Sequence, residues 1–157
     1  MNITEKKVIN ERDEKVDINI DKEMISIVIP VFNEEAVITE TIDKIQNVLS
    51  SQKIDYEIIT VNDGSSDSTE SLLKERNDII LISRKDNRGY GFSLKEGIKK
   101  SHGKRILIID ADGSYPIESI PILINESSGY DMVIGERSGK KVSINIFNKT
   151  AKLILRT

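Results

Sequence analysis

Apolar positions along the chain fall into short runs, and the runs switch between strand-like and helix-like spacing. Met24 to Val31 reads Met-Ile-Ser-Ile-Val-Ile-Pro-Val, short and rich in β-branched residues, which predicts a core strand. Pro30 cannot donate to a ladder and sets the end of that strand nearby. Ile38, Ile42, Ile45 and Leu49 then recur at helical spacing and predict a helix with one buried stripe. Asn33 is its expected N-cap, with Glu34 and Glu35 in a first turn that favours acids. Tyr56 to Val61 predicts a second strand. Asp67 and Glu70 fit a capping box for a helix over 68–76, with Leu72 and Leu73 as its apolar face.

Ile79 to Ile82 predicts a third strand, and 90–100 a helix with Phe92, Leu94 and Ile98 on its inner side. Gly91 and Gly97 weaken that helix and are expected where it packs closely on a neighbour. Ile106 to Ile109 are four apolar residues in a row, as in a strand buried on both faces. A helix over about 118–126 follows, where Pro121 is tolerated in the first turn. Met132-Val133-Ile134 predicts a fifth strand. From Val142 to Thr157, Ile144, Ile146, Phe147, Ala151, Leu153, Ile154 and Leu155 are interspersed with Lys149, Lys152 and Arg156. That pattern reads as an amphipathic helix, packed on the sheet or lying against a membrane surface or a partner subunit.

Alternation of strands and helices defines an α/β fold: a mostly parallel sheet with helices on both faces. Right-handed crossovers bring the C-terminal ends of parallel strands to one edge. Asn33-Glu34, Asn62-Asp63-Gly64, Asp110-Ala111-Asp112 and Glu136-Arg137 each follow a strand, so all four are expected on one rim. Residues 1–23 are polar and mixed in charge, the pattern of a flexible arm, although Val16, Ile18 and Ile20 alternate as a short edge strand would. Residues 24–157 form the expected single domain.

Composition narrows the chemistry. The 157 residues are 31% charged and 38% hydrophobic, with a net charge of −3, so no basic field invites nucleic acid. There is no cysteine, which excludes disulfides and thiolate metal sites. The single histidine, His102, falls before its strand, at the edge opposite the rim, and reads as a surface turn residue. No apolar run approaches the roughly 18 residues of a membrane span. The start of the chain lacks the apolar core of a signal peptide. The expected location is cytoplasmic, with peripheral contact on the cytoplasmic face of the membrane as an extension of it.

What the rim carries is carboxylates. Asp110 and Asp112 stand one residue apart and repel each other unless a cation or a donor network compensates them. A divalent metal carrying a phosphate does so, with Asp112 as principal ligand and Asp110 as second ligand or as a partner through water or a sugar hydroxyl. Arg137 is placed to pair with a phosphate. Asp63 is placed either to accept from a base or ribose or to cap its own loop. No Gly-x-x-x-x-Gly-Lys-Ser/Thr loop, no Gly-x-Gly-x-x-Gly after the first strand and no Gly-x-Ser-x-Gly elbow is present.

These residues resemble a known family. Pro30-Val31-Phe32-Asn33-Glu34-Glu35, Val61-Asn62-Asp63-Gly64-Ser65-Ser66-Asp67, Asn87-Arg88-Gly89 and Asp110-Ala111-Asp112-Gly113 look like the family 2 glycosyltransferases, and more closely their polyprenyl-phosphate, dolichol-phosphate mannose synthase-like branch. Order and spacing match from about residue 25 onwards. The resemblance implies the Rossmann-like nucleotide-sugar-binding fold called GT-A, a Mg or Mn ion, and a UDP- or GDP-sugar donor. It places Pro30, Phe32 and Glu34 beside the nucleoside, and Val61 and Asp63 against the base or ribose. Asp110, Ala111 and Asp112 hold the diphosphate through the metal, and Arg137 meets the phosphate or sugar. Asp112 and Arg137 are the expected catalytic residues. Members of the family run on past this point, so an acceptor-side part is expected to be missing. The expected function is glycosyl transfer to an acceptor such as a polyprenyl phosphate. The alternative is nucleotide-sugar binding without turnover, as a fragment or a subunit completed by another chain. A receiver-type signalling domain also carries acids at strand ends, but needs a lysine after its last strand, and none follows Met132–Ile134 immediately.

Overall fold

The computed structural model describes residues 23–128 and 130–135 in full and the strand at 152–155 by its backbone. In chain order the elements are β1 (Ile25–Val31), α1 (Ile38–Ser51), β2 (Tyr56–Asp63), α2 (Thr69–Lys74), β3 (Ile80–Arg84), α3 (Tyr90–Lys100) and β4 (Arg105–Ile108). A 3-10 turn (Ile117–Ser119) then leads into α4 (Ile120–Glu126), followed by β5 (Met132–Ile134) and β6 (Lys152–Leu155). Among the described residues the sheet has six strands in the order β3-β2-β1-β4-β6-β5. The first four run parallel, and β6 lies antiparallel between β4 and β5.

Strand β1 is buried along its whole length because both faces of the sheet are covered. On one face Ile25, Ile27, Ile29 and Val31 pack with Ile38, Ile42, Ile45 and Leu49 of α1, Leu73 of α2 and Ile120 and Ile124 of α4. On the other, Val28, Ile59, Val61, Ile106 and Ile108 pack with Leu94 and Ile98 of α3. Each fully buried Ile or Leu contributes roughly 1.5–3 kcal/mol, so these two layers dominate the stability of the fold.

Several expectations are corrected by packing. Asn33 does not cap α1; it adopts φ 54°, and α1 begins at Ile38. Its side chain is instead taken by a loop more than thirty residues away, described below. There is no capping box on α2: Asp67 Oδ1 accepts the Thr69 N–H at 3.0 Å, while Glu70 is drawn off to Ser83 Oγ at 2.9 Å and Lys74 at 2.7 Å. On α3 the buried positions are Ser93 and Gly97, with Leu94 and Ile98 half-buried. Phe92 is also only half-buried, beneath the guanidinium groups of Arg84 and Arg88 at 4.6 and 5.1 Å from its ring centre. A Cβ on Gly97 would lie 2.4 Å from Val28 Cγ1, whereas one on Gly91 would meet open space. Close packing thus explains Gly97 and not Gly91.

Residues 152–155 form a strand, not part of a helix. Pairing of Ile154 with Ile106 of β4 on one side and Met132 of β5 on the other completes two ladders, which outweighs a local helical spacing. The proposed membrane or partner-facing helix is therefore excluded at its C-terminal end, and 142–151 lies outside the described residues. The arm expected over 1–23 also lies outside them, apart from Glu23, whose carboxylate pairs with Lys104. No helix among the described residues is long and apolar enough to cross a membrane.

Candidate functional site

The sheet order places a topological switch point between β1 and β4, where open α/β sheets leave a crevice outside the strand ends. A cleft of about 450 Å³ opens there. Its β1 side is Pro30, Val31, Phe32 and Glu34; its β4 side is Asp110, Ala111, Asp112 and Tyr115; Asp63, Asn87, Gly89, Tyr90 and Ser93 close the remaining wall.

The β1 side is fixed by hydrogen bonds between two loops. Asn33 N–H donates to Ser65 Oγ at 2.9 Å, and Asn33 Oδ1 accepts the Ser66 N–H at 2.8 Å. Glu34 N–H donates to Thr69 Oγ1 at 2.9 Å, and Glu35 Oε2 accepts the Ser68 N–H at 2.7 Å. These contacts hold Phe32 in place at the cleft mouth, 46% exposed. Burial raises the Glu34 carboxyl above its ordinary pKa, and the charges of Asp112, Asp67 and Asp110 raise it further. Glu34 therefore senses the same negative field as the acidic pair.

Asp63 ends β2 and is nearly enclosed. Its Oδ1 accepts Arg84 Nη2 and the Arg88 N–H, each at 2.9 Å, and its Oδ2 accepts the Gly89 N–H at 2.7 Å. Burial opposes its ionisation, but the Arg88 and Gly89 N–H groups and the Arg84 charge outweigh that and hold the carboxyl below its usual range. Gly64 follows with φ 74°, and a Cβ there would lie 2.8 Å from the Asn87 nitrogen, so only glycine lets the two loops touch. Of the two readings of Asp63, these contacts show the loop-capping one: the carboxylate clamps the start of α3.

The acidic pair sits just past β4, whose ladder continues through the Ile109 N–H to Val28 C=O at 3.1 Å. Thr41 Oγ on α1 donates to the Ala111 carbonyl at 3.4 Å. Asp112 Oδ1 accepts the Ser114 N–H at 2.9 Å and Asp112 is exposed to the cleft. Asp110 accepts the Tyr90 hydroxyl on Oδ1 at 2.8 Å and the Tyr115 hydroxyl on Oδ2 at 2.9 Å. Burial and these bonds to Asp110 push both phenols to higher pKa, so they remain protonated donors.

Of the sequence-derived site residues, Pro30, Phe32, Glu34, Asp63, Asp110, Ala111 and Asp112 line this cleft. Val61 does not: it is fully buried against Val28 and α3, because its side chain points into the sheet's α3 face, and it cannot touch a ligand. Arg137 lies outside the described residues. The structure adds Tyr90, Ser93 and Tyr115 to the cleft wall, and none of them stands in the sequence motifs. The sequence signal for Tyr90 is a polar aromatic opening a helix at the rim; for Tyr115 it is a tyrosine five residues past Asp110.

Among the described residues, no group of three or more His, Cys, Asp or Glu is arranged to hold a metal unaided. Two hard carboxylates remain, with the buried Ser114 hydroxyl beside them lacking any partner. Such a set fits a hard divalent cation whose other ligands come from diphosphate oxygens and water.

A Rossmann-like sheet with a carboxylate-rimmed cleft at its switch point is the GT-A architecture. The mannosyltransferase PcManGT from Pyrobaculum calidifontis, solved in complex with GDP-Man and Mn2+, shares it, with a TM-score of 0.62 at 20% identity over 72% of this chain and 34% of that one. The family model described as Glycosyl transferase family 2 matches residues 26–155, and the chain belongs to that family. It is 36% identical over 138 residues to the uncharacterized glycosyltransferase YkcC of Bacillus subtilis (strain 168), covering 83% of this chain and 42% of that protein. It is 34% identical over 133 residues to the bactoprenol glucosyl transferase of Shigella phage SfV, covering 82% and 43%. The chain therefore spans about two fifths of the length of these relatives. Family membership decides against a receiver-type signalling domain.

Proposed function

We propose that this cleft binds a UDP- or GDP-sugar through a divalent cation, Mg or Mn, and that the chain supplies the donor side of a glycosyltransferase acting on a polyprenyl phosphate. The observation that carries the reading is the acidic pair at the switch point: Asp110 and Asp112 face a cleft large enough for a nucleotide, with one Asp112 oxygen open to it.

In this reading Phe32 offers its exposed ring as a stacking surface for the base, and Pro30 and Glu34 border the nucleoside. Asp63, on the cleft wall, accepts from a base N–H or ribose hydroxyl beside the N–H groups it already holds. Asp112 and Asp110 hold the cation, which when bound supplies Lewis-acid stabilisation of the charge that builds on the departing diphosphate. Arg137 is assigned to the same diphosphate charge. Asp112 and Arg137 are the catalytic residues of this proposal. A lipid phosphate acceptor is already anionic and needs little help from a base. The name of the bactoprenol relative supports that acceptor class and a place at the membrane surface.

The test is incubation of the chain with radiolabelled UDP-glucose or GDP-mannose and either Mn2+ or Mg2+, with and without undecaprenyl phosphate. Label entering the lipid fraction is the expected result. Donor binding with no sugar transferred or released selects the binding-only alternative, and no donor binding with either metal rejects the proposal.

A further inference from the structure

Asp110 and Asp112 are the same residue type two positions apart, yet their surroundings differ. Both oxygens of Asp110 are engaged, Oδ1 by Tyr90 and Oδ2 by Tyr115. On Asp112 only Oδ1 is engaged, by the N–H of Ser114 in its own loop, and among the described residues Oδ2 accepts nothing. The two phenols reach Asp110 from unrelated elements. Tyr90 is the first residue of α3 and half-exposed in the cleft wall, whereas Tyr115 follows the acidic pair and packs against the core layer under α1.

A carboxylate has about four acceptor positions. A neutral donor on each oxygen leaves each with one, and fixes the plane of the group from two sides. A cation chelated by both oxygens of Asp110 would have to compete with both hydroxyls. A cation on Asp112 Oδ2 would not compete with any donor. We propose that Tyr90 and Tyr115 are positioning residues for the cation: they hold Asp110 as a one-oxygen or water-mediated ligand and leave Asp112 as the direct one. This rests on the donor-site reading above. Tyr90 also links the two ends of the cleft, because the preceding Gly89 N–H is bound by Asp63 Oδ2 at 2.7 Å. The first turn of α3 thus ties the nucleoside wall to the metal wall.

Partners of a ligating carboxylate tune affinity without touching the ion, and losing one typically weakens metal binding about 10–100-fold. Tyr90→Phe and Tyr115→Phe remove one oxygen atom each and keep the rings. The experiment is isothermal titration of GDP and of UDP into the full chain across a series of Mn2+ concentrations, with a thermal melt on each variant. For both variants the Mn2+ concentration giving half-maximal nucleotide binding is expected to rise about 10-fold. Nucleotide affinity at saturating Mn2+ is expected to stay within about twofold, since the nucleoside wall is untouched, a split a merely structural role would not produce. Tyr130→Phe, on an exposed residue away from the cleft, is expected to match the wild type in both. Should Tyr115→Phe fail to fold, Tyr90→Phe, at a half-exposed position, carries the test. Unchanged Mn2+ dependence in the folded variants, with a wild type that binds nucleotide normally, overturns this inference alone. A wild type that binds neither nucleotide at any Mn2+ concentration overturns the donor-site reading and this inference with it.

Discussion

Asp63 accepts the backbone N–H of Gly89 at 2.7 Å, which joins the end of β2 to the residue before α3. The same carboxylate neutralises Arg84, whose Nε and Nη1 are buried without partners. Asp63→Asn removes the charge and turns one acceptor into a donor facing other donors. Breaking a buried pair from one side costs about 3 kcal/mol. Urea unfolding of Asp63→Asn is expected to show a loss of that order, and a loss below about 0.5 kcal/mol would place Asp63 outside the clamp described here.

Gly97 and Gly91 lie on the same helix and have opposite expectations. Ala at 97 drives a methyl into Val28, a stiff β-branched neighbour, and overpacking of this kind costs about 1–3 kcal/mol. Ala at 91 meets open space and gains helix propensity of up to about 1 kcal/mol, less so near close to the helix start. Thermal melts of the two single variants check this, and Val28→Ala in the Gly97→Ala background should recover part of the loss.

Acid should unfold the protein through a set of depressed carboxyls. Asp78 is lowered to about 2, chiefly by the hydrogen bond from Arg76, and Asp63, Asp67, Glu57 and Glu70 are also lowered. Such groups stabilise the fold above their unfolded pKa, and that contribution is lost as pH falls through the folded value. Stability is therefore expected to hold down to about pH 4.5 and to fall steadily towards about pH 2. Circular dichroism melts across that range check it.

Glu34 has the opposite sign. Its folded pKa is raised, first by burial and then by Asp112, Asp67 and Asp110, so its charged form weakens the fold at neutral pH. Glu34→Gln is expected to gain about 0.5 kcal/mol at pH 7 and to lose that advantage at low pH, where Glu34 is protonated anyway. Equal stability of the two proteins at pH 7 would contradict this placement in the acidic field.

What could be read from the sequence was what local pattern determines. The buried stripe of α1 from Ile38 to Leu49, the parallel strands and the Asp110–Asp112 rim followed from spacing alone. The misses came from contacts that local spacing does not reveal, several of them with partners distant in sequence. Asn33 looks like a cap until Ser65 and Ser66 claim its N–H and side chain. Phe92 looks like a core residue until Arg84 and Arg88 cover it. Lys152–Leu155 shows helical spacing until β4 and β5 offer it ladders. Val61 sits in a site motif, but it lies within β2 on the face that α3 covers, whereas Asp63, two residues on, ends the strand at the rim. The Tyr90 and Tyr115 contacts with Asp110 are likewise a product of the fold, since neither tyrosine stands in the motif.

The central claim is that the acidic pair holds a cation that holds a nucleoside diphosphate. The most direct measurement is the thermal shift of the wild type and Asp112→Asn with GDP and UDP, each with and without Mn2+. The wild type is expected to be stabilised by one nucleotide only when Mn2+ is present, and Asp112→Asn to melt like the free wild type and show no such shift. Full metal-dependent stabilisation of Asp112→Asn, or nucleotide binding indifferent to Mn2+, would contradict the account.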